Sequence, residues 1–66
     1  MAVDVREALQ ALTDKHREVL ELGYDDDLSQ SQIARRLDIP LGTVKTRTYH
    51  ALRALRVELG QRGIHG

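Results

Sequence analysis

Residues 29–59, SQSQIARRLDIPLGTVKTRTYHALRALRVEL, decide the reading of this 66-residue chain. They read as a short helix, a tight turn and a longer helix whose two faces carry opposite chemistry. At about 100° per residue from Val44, the residues Thr48, Ala51, Leu52, Leu55 and Leu59 fall between about −20° and +80°. Lys45, Thr46, Tyr49, His50, Arg53 and Arg56 fall between about 100° and 240°. The first face is core. The second offers cations, hydroxyls, an aromatic ring and an imidazole with no carboxylate, which is the chemistry of a helix lying in the DNA major groove.

The local signals around these helices agree with one another. Ser29 followed by Gln32 predicts a capping box opening a helix over 30–37. Ile33, Ala34 and Leu37 face inward, and Ala34 is small where two helices cross closely. Asp38 occupies a turn position that calls for a left-handed backbone, which Asp tolerates better than most residues. Ile39 buries the turn. Pro40 ends one helix and suits the start of the next, predicted over 41–59. Gly42 lets the backbone approach whatever that helix meets.

Working outward, residues 4–11 predict a first helix with Val5, Leu9 and Leu12 about one turn apart on one side. Thr13 is a good N-cap for a second helix over 14–22, and Asp14 complements its positive end. Val19, Leu20 and Leu22 supply its buried stripe. Gly23 fits a helix stop, and Tyr24 is expected to fold back as core. Asp25, Asp26 and Asp27 form an acidic loop in water, without the closing Glu of a calcium-binding loop. The fold class is all-α: a small four-helix bundle containing a helix-turn-helix, of the winged-helix-like or homeodomain-like DNA-binding class, without a wing. It spans residues 1–60, with 61–66 a tail expected to fray.

Net charge is zero, but its distribution is uneven. Residues 1–32 hold eight acids against three bases, and residues 33–66 hold two acids against seven bases, so a half at −5 adjoins a half at +5. That sign asymmetry is the informative quantity for a nucleic-acid partner. A chain this short buries only about 60% of its unfolded surface. With no Cys, neither a disulfide nor a thiolate zinc site staples it. No apolar run reaches the roughly 18 residues of a membrane span. No charged-then-apolar leader is present, so a cytoplasmic protein is expected. The chain starts inside a helical pattern, which suggests a fragment of something longer.

The stretch LSQSQIARRLDIPLGTVKTRTYHALRALR, with ALTDKHREVLELGY upstream, closely resembles region 4 of bacterial sigma factors, particularly the extracytoplasmic-function group. The resemblance covers roughly residues 7–59. GTVK-T-R followed by AL-x-x-LR is its specific part, whereas IA-x-x-L is shared by many helix-turn-helix families. Asp38 departs from the family's usual Gly, and the loop at Asp25–Asp27 is more acidic than most. The alternative is a LuxR-type helix-turn-helix, which also carries TVK. That family has one residue fewer before L-S, lacks the aromatic at Tyr24, and continues past TVK with Asn-His.

The resemblance implies that the last helix enters the major groove at the promoter −35 element. Lys45, Thr46, Tyr49 and His50 then become the base-edge readers. Lys45 can donate to guanine, and Thr46 offers a hydroxyl and a methyl. Tyr49 can pack on a thymine methyl, and even a neutral His50 can donate or accept one hydrogen bond. Backbone N–H groups of Leu41, Gly42 and Thr43 can face a phosphate. Ser29, Gln30, Gln32, Arg53 and Arg56 are further phosphate contacts. Arg47, at about −60° near the core boundary, is left outside the site. Arg35 and Arg36 are read as solvated.

The resemblance also implies protein partners, RNA polymerase core through its β-subunit flap and an anti-sigma factor. Leu9, Leu12, Val19 and Leu22 of the first two helices would offer the apolar contact. No enzyme is expected, since no nucleophile, base and stabiliser converge. No cofactor, small-molecule substrate or membrane partner is expected. His16, His50 and His65 are too scattered for a metal site.

Overall fold

The computed structural model describes residues 5–61, which form four helices and no strand. These are α1 (Val5–Gln10), α2 (Asp14–Tyr24), α3 (Gln30–Leu37) and α4 (Leu41–Gln61). The all-helical class and the helix-turn-helix expected from the sequence are present. α4 packs against each of the other three helices, and α2 also packs on α3.

The core is made of Ala8, Leu12, Val19, Leu20, Ile33, Ala34, Val44 and Ala51, all buried. Half-buried Leu9, Leu22, Leu28, Leu37, Ile39, Ala54 and Leu55 close around it. Small Ala34 and Ala51 let the helices cross closely, as the motif requires. Among the described residues no charged side chain is buried. Thr48 does place its Oγ1 in the interior without a hydrogen-bond partner, an arrangement that costs about 1–3 kcal/mol.

Side chains tie down the starts of α2 and α3. The Thr13 hydroxyl accepts from the His16 N–H at 3.3 Å. At α3 the capping box is complete: Gln32 N–H donates to Ser29 Oγ at 3.2 Å, and Ser29 N–H donates to Gln32 Oε1 at 2.8 Å. Each such cap is worth about 1 kcal/mol. α3 ends at Asp38, which takes the left-handed backbone at φ 57° and ψ 49°. The next residue, Ile39, returns its N–H to the Ala34 carbonyl at 3.0 Å. Its apolar side chain then seats against the core.

Several expectations require correction. α1 is shorter than 4–11; it closes at Gln10 because the Ala11 and Leu12 N–H groups bond back to Ala8 and Leu9. This tighter turn carries Leu12 into the core from the connector rather than from a helical stripe. Asp4 lies outside the described residues.

Gly23 does not stop α2, which runs on to Tyr24 and is closed by Asp25 and Asp26 N–H groups on the Glu21 carbonyl, at 2.7 and 3.3 Å. Tyr24 therefore stays on the helix and is 73% exposed instead of folding back. Val5, at 48% exposed, and Leu52, at 37%, lie outside the core. α4 continues past Leu59 through Gly60 to Gln61, so residue 61, expected in the tail, is helical. Arg62 through Gly66, including His65, lie outside the described residues.

Candidate nucleic-acid interface

Helical periodicity places the outer face of α4. Val44 and Ala51 are fully buried, which fixes the inner side of the helix. Lys45, Thr46, Tyr49, His50, Arg53 and Arg56 are all exposed on the other side. They form one continuous surface with no carboxylate on it. Among the described residues the ion pairs shown are Arg17 with Asp14 at 2.6 Å and with Glu21 at 3.6 Å, both within α2. The cations of α4 are thus not neutralised by the fold.

Tyr49 is 59% exposed yet not isolated. The Arg53 guanidinium lies 5.8 Å from its ring centre, and the His50 ring stands 5.6 Å away, tilted by 56°. Cation–π contact at an exposed ring is worth about 0.5–1 kcal/mol. It is enough to favour one arrangement of three side chains. An aromatic, an imidazole and a guanidinium thus lie side by side on the exposed face.

The start of α4 offers backbone donors, though fewer than expected. Thr43 N–H already donates to the Pro40 carbonyl at 3.0 Å, and Val44 N–H shares that acceptor at 3.2 Å. Thr43 is therefore removed as a backbone donor, because the proline carbonyl closes the first turn onto it. Leu41 and Gly42 keep the first-turn N–H groups that helix geometry leaves without an acceptor in the helix. Both residues are exposed. A Cβ at Gly42 would have no heavy atom within 4 Å. No internal contact requires glycine there.

Ser29, Gln30 and Gln32 are exposed at the start of α3. The capping box occupies Ser29 Oγ and Gln32 Oε1 as acceptors. The Ser29 hydroxyl proton and the Gln32 amide NH₂ remain able to donate. Arg35 and Arg36 are exposed, and Arg47 is half-buried at the edge of the face.

The proposed docking residues need the largest correction. Leu12 and Val19 are 8% and 2% exposed and belong to the core, while Leu9 and Leu22 are half-buried against it. The periodicity that made them apolar serves the bundle. Among the described residues, one open apolar surface is a groove lined by Val5, Leu9, Leu20, Tyr24 and Leu55, with Arg6, Glu21 and Asp25 at its charged edge. Sequence reading missed it because it arises where α1, α2 and α4 meet, and no local spacing marks that place. Also missed was a cleft where Lys15 and His16 of α2 face Thr46, Arg47 and His50 of α4. Among the described residues no cluster of His, Cys, Asp and Glu is placed to hold a metal ion. None of their helices is long and apolar enough to cross a membrane.

Comparison with known proteins shows the family. Residues 8–57 match the family described as Sigma-70, region 4. The chain is 44% identical over 55 residues to the ECF RNA polymerase sigma factor SigW of Bacillus subtilis, covering 83% of this chain and 29% of that protein. It is 42% identical over 60 residues to the ECF RNA polymerase sigma factor SigL of Mycobacterium tuberculosis, covering 91% of this chain and 34% of that one. It is 46% identical over 52 residues to SigK of Mycobacterium bovis, covering 79% and 28%. The chain spans only 28% to 34% of the length of these relatives. Sigma factors act in transcription initiation and are not enzymes, and the family match sets the LuxR-type alternative aside. The chain belongs to the sigma-70 region 4 family, the DNA-binding domain of extracytoplasmic-function sigma factors.

Proposed function

We propose that this domain reads the −35 element of a promoter with α4 lying in the major groove. The observation that carries the reading is the single exposed, carboxylate-free face of Lys45, Thr46, Tyr49, His50, Arg53 and Arg56 opposite fully buried Val44 and Ala51. Lys45 and Thr46 meet base edges near the start of the helix, and Tyr49 and His50 one turn later. Arg53 and Arg56, further along the helix, contact phosphates beyond the bases read. Leu41 and Gly42 N–H groups, with the remaining donors of Ser29, Gln30 and Gln32, hold the backbone and so set the register. By this assignment the whole protein works in the cytoplasm with RNA polymerase core, and an anti-sigma factor restrains it. The open groove of Val5, Leu9, Tyr24 and Leu55 supports protein docking as a second role for the same domain.

The test is a fluorescence-anisotropy titration of the 66-residue chain on a duplex carrying an AAC-type −35 element and on a scrambled duplex, across a salt series. Preference for the promoter duplex, with a log–log salt slope of roughly −3 to −5, is the expected result. Salt-sensitive binding without preference would remove sequence reading from the isolated domain. Absence of binding to either duplex would leave protein docking as the better reading.

A further inference from the structure

Of the side-chain types on the outer face of α4, only imidazole changes charge between pH 5 and 8, and His50 is the one imidazole of that helix. It is exposed. On one side stands the Tyr49 ring, 5.6 Å away, with the Arg53 guanidinium 5.8 Å from the same ring. On the other side His50 lines the cleft with Arg47 of α4 and with Lys15 and His16 of α2. Among the described residues no carboxylate and no residue of α3 lines that cleft. Asp14, Glu18 and Glu21 of α2 line a different surface, around Arg17. The cleft therefore supplies no opposite charge to an imidazolium at His50. DNA would supply it, because phosphates bring dense negative charge to this face, and a nearby opposite charge favours the protonated ring.

The two forms of the ring also suit different base edges. A neutral imidazole has one N–H and one bare nitrogen, so it can donate or accept. An imidazolium donates from both nitrogens and accepts at neither. In the major groove guanine N7 and O6 and thymine O4 accept, whereas cytosine N4 and adenine N6 donate. Protonation thus matches the ring to guanine or thymine and sets it against a base amine. We propose that His50 takes up a proton when the domain binds DNA and contacts guanine or thymine as an imidazolium, so that base preference at one promoter position narrows as pH falls. This inference rests on the DNA reading above and adds to it the class of base that His50 meets and a dependence on pH.

The test compares the wild-type chain with His50→Gln, whose amide both donates and accepts whatever the pH. Each is titrated at constant ionic strength between about pH 6 and pH 8. The duplexes are the promoter, a scrambled control, and promoters varied one base pair at a time. Circular dichroism at each pH checks the helices. Wild-type binding to the promoter should tighten about threefold to tenfold from the upper to the lower pH, tenfold corresponding to one unit of change in proton affinity. Preference for guanine or thymine should sharpen at one position alone. His50→Gln should bind the promoter equally well at both ends of the range. Promoter preference that does not change with pH overturns the His50 assignment while the DNA reading stands. So does a His50→Gln profile that follows wild type, or a pH dependence of equal size on promoter and scrambled duplexes. Loss of promoter preference by the wild-type chain at every pH overturns the DNA reading and this inference with it.

Discussion

The two junctions around α3 solve the same problem with different lengths of chain. Between α3 and α4, Asp38 takes a left-handed backbone at φ 57°, and Ile39 returns to the core with its N–H on the Ala34 carbonyl. Between α2 and α3, Asp27 takes a left-handed backbone at φ 55°, and Leu28 returns to the core with its N–H on the Leu22 carbonyl at 3.1 Å. In each, an exposed aspartate reverses the chain and the next residue is apolar and half-buried. The third aspartate of the acidic loop is therefore a structural position and not only a solvated charge. Neither junction uses glycine, although glycine removes the steric cost of this conformation. A short polar side chain followed by a core residue suffices to turn a helix where the bundle supplies the anchor.

Ile33 sits in α3 between these junctions, 3% exposed, with its Cδ1 3.8 Å from where a side chain on Gly23 would begin. If the junctions share one anchor, Ile33→Ala loosens both. It should cost about 2–4 kcal/mol in chemical denaturation, a large share of the roughly 3–10 kcal/mol available to a domain this small. Amide exchange at Leu28 and Ile39 should accelerate together, and acceleration at only one would split the pair.

A smaller effect sharpens the equivalence. Asp27→Gly and Asp38→Gly should each stabilise by about 0.5–1 kcal/mol by relieving left-handed strain. Their sum should appear in the double variant. Destabilisation by Asp27→Gly alone would show that the side chain, and not just the backbone, holds the longer junction. The smallest effect concerns the glycine that does not end a helix. Gly23→Ala should raise stability by about 0.5–1 kcal/mol, since a methyl inside α2 meets Ile33 at an ordinary contact distance. A fall in melting temperature would mean that Gly23 serves the junction after all.

How legible each part was follows from the range of the forces that set it. The capping box of Ser29 and Gln32, the left-handed Asp38, and the Pro40 start of α4 are bonds or restrictions within three residues, so spacing alone exposes them. The end of α2 is set by the Asp25 and Asp26 N–H groups closing on the Glu21 carbonyl, beyond Gly23, so Gly23 misleads as a stop signal. Tyr24 and Val5 read as core because periodicity gives a side of a helix but not whether a neighbour is long enough to cover it. The exposed face of α4 was legible for the converse reason, since the positions opposite Val44 and Ala51 must be outside. Lys15 and His16 were hidden in a half whose net charge is negative; only the crossing of α2 over α4 shows which way they point.

On the proposed reading, the outer face of α4 meets bases with one part and phosphates with another. Binding of Lys45→Ala and Arg53→Ala to promoter and scrambled duplexes tests it most directly. Lys45→Ala should cost about 1–3 kcal/mol on the promoter duplex and relax preference at one base position. Arg53→Ala should weaken both duplexes alike and flatten the salt slope by about one unit. Equal losses on both duplexes for Lys45→Ala, or a loss confined to the promoter for Arg53→Ala, would contradict the division of labour along α4.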